Sequence, residues 1–347
     1  MSFVNRQAIT TQLKADLIGK DSYRGVTLSY AWLANQFGHF SLGFIPAIVV
    51  YHLLQSYTSV NFPELWASFG VWGLWVAFET YNFLGPLLLK IGTRRKALNK
   101  GDYTFRPAWA NIAFDTLTDL IYFGIGALAA SLVCKFHPEM LMGTLALLIL
   151  AAYPAYYWYS TKIYLQNADY PFQLRLSQWN ERISDQNKKA VLDFLDHRGT
   201  EGKHMLLFGS KGSGKTMLSV GIATETSIRN NCCSYVTAVK LLSMFFDQNT
   251  APQTFSRLWS WRQCNLLVID DINPGKPVKG DIITTTLFYE LLNNVDCGPD
   301  NLQHIREKNI IWVMGSDDPT SLLEQKWQDL LLQIGINPSN IVTVNLD

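Results

Sequence analysis

Gly209-Ser210-Lys211-Gly212-Ser213-Gly214-Lys215-Thr216 constrains this 347-residue chain more than any other stretch. It fits the pattern G-x-x-x-x-G-K-[ST] at every fixed position. Glycine lets a backbone curl until successive N–H groups point inward, the arrangement that cradles a polyphosphate. A helix starting at the end of the loop adds its positive N-terminal pole. In such a loop Lys215 reaches the β- and γ-phosphates, and the Thr216 hydroxyl takes one position on Mg2+. The flanks agree: His204–Phe208 reads as a buried strand and Met217–Thr226 as a helix. The expected ligand is ATP with Mg2+, held by Gly209, Ser210, Lys211, Gly212, Ser213, Gly214, Lys215, Thr216 and Met217.

A net charge of +1 and a charged fraction of 16% conceal two unlike halves. Residues 1–171 are aromatic and nearly free of charge over long runs, whereas residues 172–347 have the composition of a soluble domain. Neither half is strongly basic, so charge makes no case for nucleic acid as a partner. Cys134, Cys232, Cys233, Cys264 and Cys297 have neither zinc-ligand spacing nor the pattern of a disulfide framework. Small, inert thiols in a reducing compartment are expected.

Four apolar segments, near Tyr30–Tyr57, Leu65–Leu89, Ala108–Lys135 and Met140–Tyr164, approach or exceed the roughly 20 residues that cross a bilayer. Tyr and Trp gather near their ends, as at Tyr30, Trp32, Tyr57 and Tyr156 to Tyr159, where an interfacial belt would lie. Before them, Phe3, Ile9, Leu13 and Leu17 among Arg6, Lys14 and Lys20 read as an amphipathic helix in the membrane surface. The connection between the second and third segments carries Lys90, Arg94, Arg95, Lys96, Lys100 and Arg106, and the first connection has no Lys or Arg. Positive loops stay inside, so both termini are expected in the cytoplasm. The organisation expected is an amphipathic segment over 1–25, a four-helix transmembrane domain over 26–166, a linker over 167–184 and a cytoplasmic domain over 185–347. A multi-pass protein of a bacterial inner membrane fits that organisation. Glu79 in the second segment, and Asp115 and Asp119 four residues apart in the third, leave two readings open. They form a proton or cation path, or they hydrogen-bond between helices.

Beyond Ser184 the pattern alternates. Strands at Cys233–Thr237, Asn265–Ile269, Asn309–Met314 and Ile341–Asn345 join His204–Phe208, with helices at Ser184–His197, Lys240–Phe246, Ile282–Val295 and Ser321–Ile334. This predicts an α/β fold, a parallel sheet between two helical layers. Leu266-Leu267-Val268-Ile269-Asp270-Asp271 is an apolar strand ending in two acids. Placed one helix–strand–helix unit after a phosphate loop, Asp270 would hold Mg2+ through its water shell and Asp271 would polarise an attacking water.

On these motifs residues 185–347 resemble the AAA+ P-loop ATPases, in the branch that holds the bacterial replication initiator, helicase loaders and transposition helper ATPases. Gly209–Thr216 matches the Walker A loop, and Leu266–Ile272 carries the Asp-Asp-Ile ending common in that branch. Val236-Thr237-Ala238 running into Leu241-Leu242 looks like its second strand and helix. Asn309–Asp318 looks like the sensor-1 strand, where Ser316 or Asp317 would watch the γ-phosphate. The resemblance implies ATP hydrolysis, self-assembly and action on a protein partner. Two departures stand out. Members carry a helical lid with an arginine after the last strand, whereas this sequence stops at Asp347. No arginine follows Arg306, so an arginine finger from a neighbour falls to Arg306, or to Arg257 or Arg262, and turnover is expected to be slow or partner-stimulated. The loop Asn273–Gly280, with Lys276 and Lys279, reads equally as a reporter of nucleotide state and as a plain surface loop. The expected function is a membrane-anchored, Mg2+-dependent ATPase that drives or switches assembly of a membrane complex. A nucleotide-gated channel is the alternative, and a membrane-tethered nucleic-acid loader rests on the resemblance alone.

Overall fold

The computed structural model describes residues 3–18, 26–88, 104–179, 181–197, 202–247, 258–273, 281–294, 297, 300–315 and 321–347. The chain divides into two compact units. One comprises Ile9–Asp102 and Ala108–Lys162; the other comprises Met1–Ala8, Tyr103–Pro107 and Ile163–Asp347.

The first unit is built on helices α1 (Arg6–Ile18), α2 (Leu28–Tyr57), α3 (Pro63–Leu88), α4 (Trp109–Cys134) and α5 (Pro138–Asn167), with the ends of α1 and α5 in the other unit. Thr27 caps α2 by accepting from the Tyr30 N–H. α2 and α4 run parallel, since His39 meets Asp119 and Ala47 clusters with Ala130; between those points Gly43 lies against Phe123 and Ala127, and Gly126 against Phe40 and Phe44. At both glycines a Cβ would strike the backbone of the facing helix, so only glycine permits this approach. α3 runs the other way, with Val71 beside Ala47 and Ala130, and Trp72 Nε1 donating to the Leu120 carbonyl at 3.0 Å. α5 is also antiparallel to α4, since Leu147 approaches Gly124 while Tyr157 meets Phe114. Only residues 58–62 join α2 to α3 and 135–137 join α4 to α5, and connections so short favour antiparallel neighbours.

Three of these helices, α2, α4 and α5, are long and apolar enough to cross a membrane. α3 is a 26-residue helix as expected but is not among them. Glu64, Glu79, Thr80 and Asn82 dilute its apolar content. The four expected spans therefore become three candidates, compatible with a membrane protein. Of the basic connection after α3, Lys90, Arg94, Arg95, Lys96 and Lys100 fall outside the described residues. In α1 the buried side chain is Asp16, while Leu17 and Ile18 are exposed. Asp16 accepts from Gln12 Nε2 (2.8 Å), Thr27 Oγ1 (2.8 Å), Ser29 Oγ (2.6 Å) and Tyr159 OH (2.7 Å). Four donors are what a carboxylate needs to leave water, and they tie α1 to α2 and α5.

The second unit holds strands β1 (His204–Phe208), β2 (Cys233–Thr237), β3 (Leu266–Ile272), β4 (Asn309–Met314) and β5 (Ile341–Asn345) in one sheet, ordered β2-β3-β4-β1-β5 and wholly parallel. Helices α6 (Asp185–Leu195), α7 (Lys215–Ile228), α8 (Ala238–Phe245), α9 (Thr285–Asn293), α10 (Asn301–Glu307) and α11 (Ser321–Gln333) cover it. Strands buried on both faces read as unbroken apolar runs, and alternate residues serve opposite layers. Met205, Leu207, Val268, Ile311 and Val313 pack with Leu218 and Ile222 of α7 and Phe194 of α6. On the other face Trp312 meets Phe288 of α9 at 5.2 Å and Trp327 of α11 at 5.9 Å, and Phe245 of α8 joins Phe288. α10 is a helix the sequence pattern did not predict. The expected linker is also more than a linker: Leu176 and Trp179, flanking a short turn, are buried in the core beside Phe105.

His204, at the start of β1, is fully buried and its Nδ1 accepts from Trp312 Nε1 at 3.1 Å. Burial pushes its imidazole down to about 3. Between that value and the ordinary 6.5 the unfolded chain binds a proton that the native chain refuses. This contribution to stability is complete above pH 6.5 and declines toward pH 3, by about 1.4 kcal/mol per pH unit. Denaturant unfolding at successive pH values should show this slope, and His204→Phe should remove one proton from it. An unaltered slope in the variant would contradict the buried neutral ring.

Candidate functional site

In a wholly parallel sheet every strand delivers its carboxyl end to one edge. The connection leaving β1 runs through α7 to β2 at one border, and that leaving β4 runs through α11 to β5 at the other. β1 and β4 are neighbours, so the chain departs in opposite directions from adjacent strand ends. Open α/β sheets hold ligands in the crevice at such a switch point. Gly209–Gly214 lies there, between β1 and α7.

The loop takes backbone conformations that side chains resist. Gly209, Gly212 and Gly214 have φ of 147°, 84° and 87°. Gly214 forms the N-cap of α7, and a Cβ on it would lie 2.9 Å from Trp179 Nε1. That indole N–H donates to the Gly214 carbonyl at 3.0 Å. Trp179 is fully buried against Phe105, with ring centroids 5.8 Å apart, so the loop rests on a fixed post. Lys215 is buried, and its Nζ donates to the carbonyls of Gly209 (2.6 Å) and Ser210 (2.8 Å), which holds the ammonium within the loop. The Ser210 N–H donates to Asp347 Oδ1 at 2.7 Å, and hydrogen bonds from Ser210 hold that carboxyl below its usual range. Thr216 is half-buried, and Lys211, Gly212 and Met217 are exposed. The first turn of α7 presents N–H groups that have no acceptor within the helix.

The acids lie on the same edge. The β3–β4 register shifts between Ile269 and Ile272, and Asp271 and Asn273 have φ of 54° and 57°. A bulge with left-handed, non-glycine residues is strained, and such strain persists where surroundings enforce it. Here Asn273 does so: Nδ2 donates to the Ile283 carbonyl at 2.7 Å, and Oδ1 accepts from the Ile283 N–H at 2.8 Å. Asp270 is 2% exposed; Oδ2 accepts from Tyr235 OH at 2.5 Å and Oδ1 from the Asp271 N–H at 2.8 Å. Asp271 turns outward into solvent. Partial burial, and then the Asp270 charge, push its carboxyl above the usual range, toward the strength of a useful base.

The arginines are placed otherwise. Arg306 ends α10, just before β4, on the edge opposite the loop, and its Nε donates to the Ile334 carbonyl. The structure does not bring it to Lys215 of the same chain. Arg262 is buried as a clamp, with Nε on Asn301 Oδ1 (3.0 Å) and Nη2 on the carbonyls of Met244 (3.0 Å) and Asp247 (2.6 Å). Ser316, Asp317, Arg257 and the loop over 274–280 fall outside the described residues. Among the described residues no three His, Cys, Asp or Glu side chains gather as a metal site. Cys232 and Cys233 are buried, and that burial pushes both thiols up to about 12, so neither is a ready nucleophile. Trp179, Tyr235 and Asp347 contact the loop or the acids and were not singled out from the sequence, and Asn273 was read only as the start of a loop. No protein-family model matches this chain, and no curated protein gives a significant match to it.

Proposed function

We propose that the C-terminal unit is an AAA+-like P-loop ATPase that binds ATP with Mg2+ and hydrolyses it. One observation carries this reading. Lys215 is drawn into a loop of left-handed glycines at the sheet's switch point, with two acids on the same edge. The residues fit the ligands: an open face at Gly212, where a Cβ would meet nothing within 4 Å, first-turn N–H groups for anionic oxygens, and a buried carboxylate behind them. Thr216 and Asp270 would hold Mg2+, which supplies charge neutralisation on the phosphates when bound. Lys215 leaves the Gly209 and Ser210 carbonyls for the β- and γ-phosphates. Asp271 accepts a proton from the attacking water as its oxygen bonds to the γ-phosphorus and the bond to ADP breaks. Tyr235 and the Asp271 N–H keep Asp270 oriented throughout.

In the whole protein this cycle serves as a switch. The apolar helices anchor the chain in a bacterial inner membrane with the ATPase unit and both termini in the cytoplasm, and the basic run Lys90 to Arg106 supports that side. Copies assemble and act on a protein partner as nucleotide state changes. A nucleotide-gated membrane effector is the second reading, favoured by the acids within the helices. Phosphate release by the purified full chain tests the ATPase: it should require Mg2+, and Asp271→Asn should retain ATP binding while losing turnover about 10²- to 10⁴-fold. A chain that binds no ATP overturns the proposal.

A further inference from the structure

The structure brings together three residues of the helical unit that the nucleotide site does not use. His39 on α2 and Asp119 on α4 face each other with Nε2 and Oδ1 3.2 Å apart. Gln36, one turn before His39, is 2% exposed and reaches the same carboxylate. Its Oε1 is nonetheless without a hydrogen-bond partner, as are Asp119 Oδ1 and His39 Nδ1. Asn35 Nδ2 lies 3.0 Å from His39 Nε2.

Depth follows from helix geometry. At 1.5 Å per residue, His39 and Asp119 stand about 15–17 Å from the starts of α2 and α4, and Glu79 about 14 Å from the end of α3. With α2 and α4 parallel and α3 antiparallel, these are the same end of the bundle. In a hydrocarbon layer about 30 Å thick that begins at the starts of α2 and α4, His39 and Asp119 would stand near the middle, with Glu79 level with them. The charged groups facing Asp119 are His39 from α2, Glu79 from α3 and Asp115 from one turn earlier on α4. α5 meets this part of α4 through Leu147 and Ala151. No Lys or Arg occurs in α2, α3 or α4.

Access is one-sided. Toward the start of α4, Asp115 and Asn35 continue a polar track about 6 Å closer to that end of the bundle. In the other direction Trp75 stacks on Phe123 at 4.4 Å, His39 abuts Phe123 at 4.8 Å, and the Gly43 and Gly126 backbones close the gap between α2 and α4. A carboxylate that faces an imidazole, with the unpartnered Gln36 Oε1 beside it, suits a small cationic donor. A metal ion would need more oxygen ligands than gather here, and a protonated His39 would repel it. A proton requires only this pair. With one proton shared, the pair is either imidazolium with carboxylate or two neutral groups, so it carries no net charge in either form. A second proton passes from hydronium to the carboxylate, leaving water and a carboxylic acid beside the imidazolium.

We propose that His39, Asp119 and Gln36 form a proton-binding site at mid-membrane depth, open from the end where α2 and α4 begin. The inference goes beyond the ATPase reading and rests on the helices lying in a bilayer. A lipid-soluble carbodiimide tests it, because that reagent modifies a protonated carboxyl and spares the ionised form. The full chain is reconstituted in phosphatidylcholine vesicles, treated at a series of pH values and mapped by mass spectrometry. Asp119 should be labelled at low pH and protected as pH rises. Asp119→Asn should lose the adduct, and His39→Gln, which keeps a hydrogen-bonding side chain, should move the half-labelling pH by about one unit or more. An adduct that is absent, or indifferent to pH and to His39, overturns the site. Release of the chain from vesicles by alkaline carbonate overturns the bilayer reading, and the site with it, while leaving the ATPase reading untouched.

Discussion

Lys215→Ala is expected to abolish ATP turnover while leaving the fold intact. The ammonium donates to the Gly209 and Ser210 carbonyls of its own loop, and Lys215 is not part of the apolar cluster beneath the sheet. Its proposed work lies on the phosphates. Hydrogen bonds from a charged group contribute about 1.5–3 kcal/mol each, so losing the contact with ATP should weaken binding about 10- to 100-fold. Charge grows on the phosphoryl oxygens during transfer, and a lost donor at such a position slows reactions a further 10²- to 10³-fold. Isothermal titration with ATP and Mg2+, beside a phosphate-release assay, separates the two losses. Lys215 is buried and its loss frees two loop carbonyls, at about 1–3 kcal/mol, so the melting temperature should fall by about 2–12 °C while unfolding stays cooperative. A variant that keeps wild-type turnover would remove the loop from the chemistry.

Trp179→Ala is expected to damage both stability and the loop. Emptying a fully buried tryptophan site costs about 3–5 kcal/mol, which lowers the melting temperature of a unit this size by about 6–20 °C. The same change leaves the Gly214 carbonyl without its indole donor and frees the N-cap of α7. Trp179→Phe separates the two roles. It restores most of the packing and none of the hydrogen bond, so it should recover much of the melting temperature yet still bind ATP more weakly than wild type. Equal affinity in the Phe variant would reduce Trp179 to a packing residue.

The elements legible in the sequence are those whose cause is local. β1 and β4 begin and end where their apolar runs do, because a strand buried on both faces needs no partner to be recognised. The Gly209–Thr216 loop is legible because its glycines are demanded by its own backbone angles. Asp271 was named from its place after an apolar strand; its left-handed backbone and its bulge were not, since both depend on Asn273 gripping Ile283. Trp179 was invisible for a different reason. It stands 35 residues from Gly214 in a polar stretch, and the contact exists only after the chain has folded. His39 was overlooked because a lone histidine in an apolar run has no local pattern. Its meaning comes from Asp119, on another helix. The length of α3 was legible in the same way as β1 and β4, whereas the apolar content that makes α2, α4 and α5 candidate spans depends on the whole window rather than on any one residue.

Phe105 carries one more consequence. Its five-residue segment, Tyr103–Pro107, belongs to the C-terminal unit although the residues on both sides of it belong to the helical unit. The N-terminal residues do the same, with the Phe3 ring 5.9 Å from Trp259. The two units are therefore interleaved along the gene, and no single cut between codons separates them. A fragment beginning at Ile163 would keep every strand and every phosphate-loop residue, yet it would expose the faces of Trp179 and Trp259 to water. Recombination that grafted the sheet-bearing unit onto another helical unit would have to carry three separate segments, which makes the two units an inherited pair rather than interchangeable modules.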